Sequence, residues 1–229
     1  NKKIGQTKDG LPIEINRTFL AQNFKILIGT VLPHSSVGFS GGFKLIMPGL
    51  ASMKMIKGFH QLPSSYKRIR NPKDNLLYQR SKQAAKMVPP DFTIQVICNP
   101  DRSIAKIFAR DLSNSHKNAI KYLISRAKVK IINNADIGIF NCYPLDVEFI
   151  QSGKALDIMR DTNNQAVKEN GTIVVATAAS EGEGYHQLRS PDMIRPFNDD
   201  WTKAYGNREL IFYGPNITRQ MISPAARSR

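Results

Sequence analysis

The sequence predicts an α/β protein made of two α/β domains with mostly parallel sheets and a cleft between them. Three observations carry that expectation. Compact apolar runs alternate with segments of helical period, the pattern of strands joined by helical crossovers. A glycine-rich loop stands between an apolar run and a helical pattern, where open α/β sheets hold their ligands. The pattern restarts near residue 129, which divides the chain into 1–128 and 129–229.

The elements follow in order. "FKILIGTV", residues 24–31, is a compact apolar run and predicts a buried strand. The glycine loop follows directly. "MPGLASMKMIKGFH" predicts a helix opening at Pro48, with Leu50, Met53 and Ile56 at three-residue spacing. "FTIQVICNPDRSIAKIFARD", residues 92–111, predicts a hairpin about the turn "NPDR". "SNSHKNAIKYLISRAK", residues 113–128, predicts a helix opened by a Ser or Asn cap. "VKIINNADIGIFN" predicts a strand, "NCYPLD" a loop, and "VEFIQSGKALDIMRDTNNQAVK" a helix. "GTIVVATAAS", residues 171–180, predicts another buried strand, with "EGEGYHQ" as its loop, and "RELIFYGPN", residues 208–216, the last strand.

Composition narrows the class. The chain has 229 residues, 41% hydrophobic and 22% charged, ordinary for a globular protein with real cores. No run of 18 apolar residues predicts a membrane helix. The polar start "NKKIGQTKDG" has no apolar signal region, and its lack of Met suits a processed chain or part of a longer one. Cys98 and Cys142 are too few for a disulfide scaffold or a zinc site, so the expected setting is the reducing cytoplasm. The formal net charge is +15, a field that attracts anions. The densest basic stretch, residues 66–86, carries Lys67, Arg68, Arg70, Lys73, Arg80, Lys82 and Lys86 against Asp74. It reads as a nucleic-acid face or as a solvated helix surface. No nucleic-acid motif accompanies it, so the second reading leads.

The glycine loop "GFSGG" fails the Walker A pattern, because Phe43 separates Gly42 from Lys44 and Leu45 follows. "EGEG" fails the dinucleotide pattern, since Gly182 and Gly184 lack a third glycine. Free backbone N–H groups in the first loop would suit a phosphate. Alternatively its glycines only supply positive φ to a turn. His34 and His60 flank Lys44. A neutral imidazole ligates transition metals or moves protons near neutral pH, and a semi-buried lysine acts as nucleophile or covalent anchor. These spacings name neither a metal nor a reaction. Gln151 and Lys154 share one face of a predicted helix, where an amide beside an ammonium suits a carboxylate but is equally at home in solvent. His116, early in an amphipathic helix, reads as structural, and His186 follows the second loop.

"PHSSVGFSGGFKLIMPGLASMKMIKGFH" resembles the signature of the nickel-pincer-nucleotide-dependent lactate racemase family: a His, a "GFSGG" loop, a Lys, "PG", a short helix and a second His. The later "YPLD…QSGK" resembles the family's second-domain motif, and "GTIVVATAASEGEG" the strand and loop after it. The resemblance runs from about residue 10 to about residue 185. The chain departs from the pattern at Phe43, where Arg is usual, and at Cys142, where Gly is usual. The family also has an earlier first-domain segment, with a further acid/base His and a substrate-binding Arg, that this sequence does not contain. Trp201 lies where the family places a site tryptophan, in a poorly matching context.

The resemblance implies an isomerase: a racemase or epimerase of small 2-hydroxy acids, working by hydride transfer to nickel held on a nicotinate-derived mononucleotide. Lys44 would carry that cofactor through a thioamide link, with Gly41 and Gly42 bringing backbone close to it. His60 would ligate the nickel, His34 would take and return the hydroxyl proton, and Gln151 and Lys154 would hold the substrate carboxylate. The alternatives are a non-catalytic nucleotide- or phosphate-binding homologue and a basic nucleic-acid-binding protein.

Overall fold

Two compact units make up the chain, Asn1–Val129 and Lys130–Arg229. The computed structural model describes residues 1–34, 37–60, 75–130, 132–161, 165–184 and 205–222, without the side chains of 59, 60, 160, 161 and 220. Among the described residues no helix is long and apolar enough to cross a membrane.

The first unit opens on an antiparallel hairpin, β1 (Lys2–Gln6) and β2 (Pro12–Ile15). Its polar turn "TKDG" gave no strand signal in the sequence. Thr7 Oγ1 donates to Asp9 Oδ1 at 2.6 Å, and Gly10 takes a φ of 84°, the conformation that suits glycine. Ile13 and Ile15 of β2 are fully buried. Asn16 then caps the single-turn α1 (Arg17–Leu20) by accepting from the Phe19 N–H.

The central sheet has the order β3-β6-β7. β3 (Ile26–Thr30) lies parallel to β6 (Phe92–Cys98), and β6 is antiparallel to β7 (Ile104–Arg110), the expected hairpin. The expected burial of β3 is corrected: Leu27 faces the core, whereas Ile26 and Ile28 on the other face are 49% and 66% exposed. A helix packs on one face of this sheet among the described residues. That face carries α4 (Leu112–Ala127), against β6 and β7, while α3 (Leu76–Met87), capped by Asn75, packs against β1 and the turn at Gly42–Leu45. The cap of α4 is Asp111, whose carboxylate accepts from the Asn114 N–H at 3.0 Å, and not the Ser or Asn expected.

Between β3 and α3 the chain forms a short ribbon, β4 (Pro33–His34) with β5 (Gly38–Phe39), and a 3₁₀ turn over Gly42–Leu45. The next helix, α2 (Met53–His60), starts five residues after Pro48. Residues 50–52 are held instead as an extended strip along β2. The Asn16 N–H donates to the Leu50 carbonyl, Ala51 bridges Ile15, and the Ser52 N–H donates to the Glu14 carbonyl. Ser52 Oγ then accepts from the Met55 N–H at 3.2 Å, a side-chain cap that starts the helix at Met53.

The second unit holds a wholly parallel sheet in the order β10-β9-β8: β8 (Ala135–Asn141), β9 (Val167–Ala176) and β10 (Glu209–Tyr213). Its core gathers Leu156, Met159, Val167, Ile173, Val175 and Tyr205. The long helix expected after "NCYPLD" is a 3₁₀ segment, Phe149–Leu156, followed by the short α5 (Asp157–Asp161). The N–H groups of Phe149 and Ile150 donate to the carbonyls of Gly182 and Glu183, which ties the start of the segment to a neighbouring loop. β9 begins at Val167, four residues before the sequence suggested. A final turn of helix, α6 (Arg219–Ile222), follows β10.

The folds agree with the α/β class: a mixed sheet in the first unit and a parallel one in the second. The basic stretch is only partly described. Within it Arg80 is buried and paired with Asp9, so it belongs to the core rather than to a basic face. Lys67, Arg68, Arg70 and Lys73 lie outside the described residues.

Candidate active site

Glycine at positions 41 and 42 seats the loop on the sheet. Their φ angles are 71° and 52°, in the left-handed region that side chains avoid. Both are buried. A Cβ on Gly41 would overlap Gln95 and Val31, and one on Gly42 would overlap the ring of His116. Backbone hydrogen bonds fix the strip. The Ser40 N–H donates to the Leu32 carbonyl at 2.8 Å, and the Lys44 N–H to the Gly41 carbonyl at 3.1 Å. Ser40 Oγ donates to the Thr30 carbonyl at 2.9 Å and accepts from the Leu32 N–H at 2.9 Å.

Two side chains from distant elements complete the support. The Gly42 N–H donates to Gln95 Oε1 on β6 at 3.0 Å. His116 Nε2 on α4 donates to the Ser40 carbonyl at 2.9 Å, since a carbonyl only accepts. Burial pushes the His116 imidazole below its ordinary value, against the Ser40 bond that favours the charged form, so it is neutral at pH 7. The phosphate reading of this loop is weakened accordingly: the N–H groups of Ser40, Gly42 and Lys44 are all spent within the protein.

Phe43 explains its own place in the pattern. It is 8% exposed and meets Tyr78 edge-on at 5.5 Å and His116 at 6.2 Å between ring centroids. It is therefore a core anchor of the 3₁₀ turn. Lys44, the next residue, is half-buried and borders a crevice too narrow for a water molecule, with Val37, Phe39, Phe43, Tyr78, Ser81 and His116. Burial pushes the Tyr78 phenol up. His34 sits half-buried on β4, paired across the ribbon with Gly38. His60 is the last residue of α2, and its side chain lies outside the described residues, as do His186 and Trp201. Among the described residues no three His, Cys, Asp or Glu side chains form a group able to hold a metal ion.

In the second unit the 3₁₀ segment places Gln151 and Lys154 three residues apart, which eclipses them on one line. Gln151 is half-buried and Lys154 exposed. The segment is fastened from below. Cys142 Sγ donates to the Gln151 carbonyl at 3.3 Å, and Ser152 Oγ to Thr177 Oγ1 at 2.8 Å. Burial and, secondarily, Asp146 push the Cys142 thiol up to about 11. The Ala178 N–H donates to Asp146 Oδ2 at 3.3 Å. "YPLD", "QSGK" and "AASEGEG" are thus parts of one packed assembly.

The structure therefore joins Gly41, Gly42 and Lys44 with Phe43, Tyr78, Gln95 and His116, and separately joins Gln151 and Lys154 with Cys142. The one signal of Gln95 in the sequence is its polar letter within the largely apolar "FTIQVIC".

Comparison with known proteins adds three findings. Residues 1–70 match the lactate racemase N-terminal domain family. The chain is 32% identical to a lactate racemase of Lactiplantibacillus plantarum over 97% of its own length and 56% of that protein's. It is 29% identical to a lactate racemase of Thermoanaerobacterium thermosaccharolyticum over 79% of its length and 42% of that protein's. It thus spans about half the length of these relatives. The structure of the Thermoanaerobacterium lactate racemase apoprotein superposes with a TM-score of 0.67 at 28% identity, covering 82% of this chain and 45% of that one. A Thermotoga maritima protein shares the fold at a TM-score of 0.58 and 22% identity, covering 72% of this chain and 42% of that one.

Proposed function

This chain belongs to the lactate racemase family, and from that premise we propose that it forms part of a racemase or epimerase of small 2-hydroxy acids, an isomerase working with a nickel-pincer nucleotide tethered to Lys44. The observation that supports this best is the setting of Lys44: a half-buried lysine on a turn fixed by two buried glycines of positive φ. The residues present fit a tethered group. A primary amine forms the covalent link, and a metal brought in on an organic ligand needs no cage of three protein side chains.

In this reading Lys44 holds the group and His60 supplies the protein's imidazole ligand to nickel. When bound, the group supplies a hydride acceptor and donor for the substrate's C2. The protein does the rest. His34 takes the hydroxyl proton as the 2-keto acid forms and returns it afterwards, a task for an imidazole near neutral pH. Gln151 and Lys154 bind the carboxylate with an amide N–H and an ammonium, which fixes the substrate's orientation. Gly41 and Gly42 seat the turn that carries Lys44 against Gln95 and His116.

The test is racemisation by the full-length protein made together with the cofactor-synthesis proteins, starting from one lactate enantiomer in deuterated water. Interconversion with the C2 hydrogen retained is the expected result. Deuterium entering C2 would replace hydride transfer by proton abstraction, and no interconversion of any 2-hydroxy acid would overturn the racemase reading.

A further inference from the structure

We propose that Gln95 and His116 are positioning residues that clamp the loop bearing Lys44 and so set the direction in which its amine is presented for covalent loading. This rests on the reading of Lys44 as the anchor.

The loop needs such a clamp. Residues 41 and 42 are both glycine in left-handed backbone, and glycine loses more conformational freedom on folding than any other residue. Fixing them costs backbone conformational entropy. Two hydrogen bonds oppose that cost, and both come from elements far downstream in the chain. Gln95 reaches from β6, 53 residues away, to the Gly42 N–H. His116 reaches from α4, 76 residues away, to the Ser40 carbonyl. Both donor and acceptor sides of the loop backbone are thereby held, one residue apart on either flank of Gly41.

Packing makes the clamp tight. The His116 ring occupies the space where a Gly42 side chain would be, and the Gln95 amide occupies that of Gly41. Phe43 is wedged edge-on against His116. Gln95 is fully buried, and its Nε2 has no hydrogen-bond partner among the described residues. A buried unsatisfied amide costs free energy, so an apolar residue would suit the core better. What the amide provides is the acceptor for Gly42. The next residue but one is Lys44, so a shift of the loop moves its amine directly.

The experiment uses the full-length protein with and without the cofactor-synthesis proteins, and the variants Gln95→Met, His116→Leu and His116→Gln. The glutamine amide keeps a donor within reach of the Ser40 carbonyl. The first readout, on cofactor-free protein, is amide hydrogen exchange at residues 40–44. Exchange is expected to rise about tenfold in Gln95→Met and His116→Leu and to stay near the wild-type rate in His116→Gln. The second is the fraction of Lys44 carrying the added mass after loading. It is expected to fall about tenfold in the first two variants and to recover in the third. Unchanged exchange and loading in Gln95→Met would overturn the clamp, and so would a His116→Gln protein as defective as His116→Leu. Should wild-type Lys44 stay unmodified while the exchange pattern holds, the clamp stands and the tethered-cofactor reading falls.

Discussion

The guanidinium of Arg80, 8% exposed, donates from Nε to Asp9 Oδ2 at 2.8 Å and binds the middle of α3 to the turn of the opening hairpin. Nη2 of Arg80 donates to the same oxygen. A basic residue that reads as surface charge is thus a strut beneath the first unit, next to Ser81 and Tyr78 on the helix that flanks Lys44.

Breaking that strut should be costly. Asp9→Ala leaves a buried cation without its partner and should lower stability by about 2–3 kcal/mol. The Arg80 hydrogen bonds hold the Asp9 carboxyl below its ordinary value. A carboxyl depressed in the folded state stabilises fully above its unfolded value of about 3.9 and loses that contribution as pH falls through the folded value. Urea midpoints measured between about pH 5 and pH 2 should fall more steeply for wild type than for Asp9→Asn.

Gly42→Ala should destabilise the protein by about 2–4 kcal/mol, from positive φ and from overlap with His116. Gly10→Ala is the control. Its φ is 84° but nothing lies within 4 Å of an added Cβ, so it carries only the conformational cost of about 1 kcal/mol. Thermal denaturation of the two variants side by side checks the difference. Equal losses would mean that packing of the loop on His116 contributes nothing.

Cys142 should be a slow thiol. With its value pushed up to about 11, it stays protonated at pH 8, and alkylation of the folded protein should speed up with pH toward about 11. A thiol raised in the folded state stabilises fully below its unfolded value of about 8.5 and loses that contribution as pH rises through the folded value. Iodoacetamide labelling followed by peptide mass spectrometry reads both Cys142 and the half-buried Cys98 in one experiment.

Lys154→Ala should leave stability within about 0.5 kcal/mol of wild type, because the side chain is exposed. On a 2-hydroxy acid substrate it should raise KM, by about tenfold for one lost charge-assisted contact. Gln151→Ala should raise KM as well. A variant pair with unchanged KM would remove both residues from carboxylate binding.

Local patterns stand out in the sequence and long-range contacts do not. His34, Gly41, Gly42 and Lys44 stand out because their chemistry lies within a dozen letters. Gln95 and His116 do not, because their partners are 53 and 76 residues away and each letter fits its own strand or helix pattern. The α2 start at Met53 is hidden for a similar reason: residues 50–52 are held along β2, and no periodicity within the segment shows that. Ile26 and Ile28 are exposed, which the apolar run does not reveal because it does not say how many of its faces are covered. The 3₁₀ segment at Phe149–Leu156 keeps the three-residue alignment of Gln151 and Lys154 that a helix had suggested, through a different winding.

The most direct test of the account is the mass of the Lys44 peptide from full-length protein made with the cofactor-synthesis proteins. The account predicts an added mass on Lys44 that accompanies nickel and disappears, together with racemisation, in Lys44→Ala. An unmodified Lys44 in protein that still racemises a 2-hydroxy acid would contradict it.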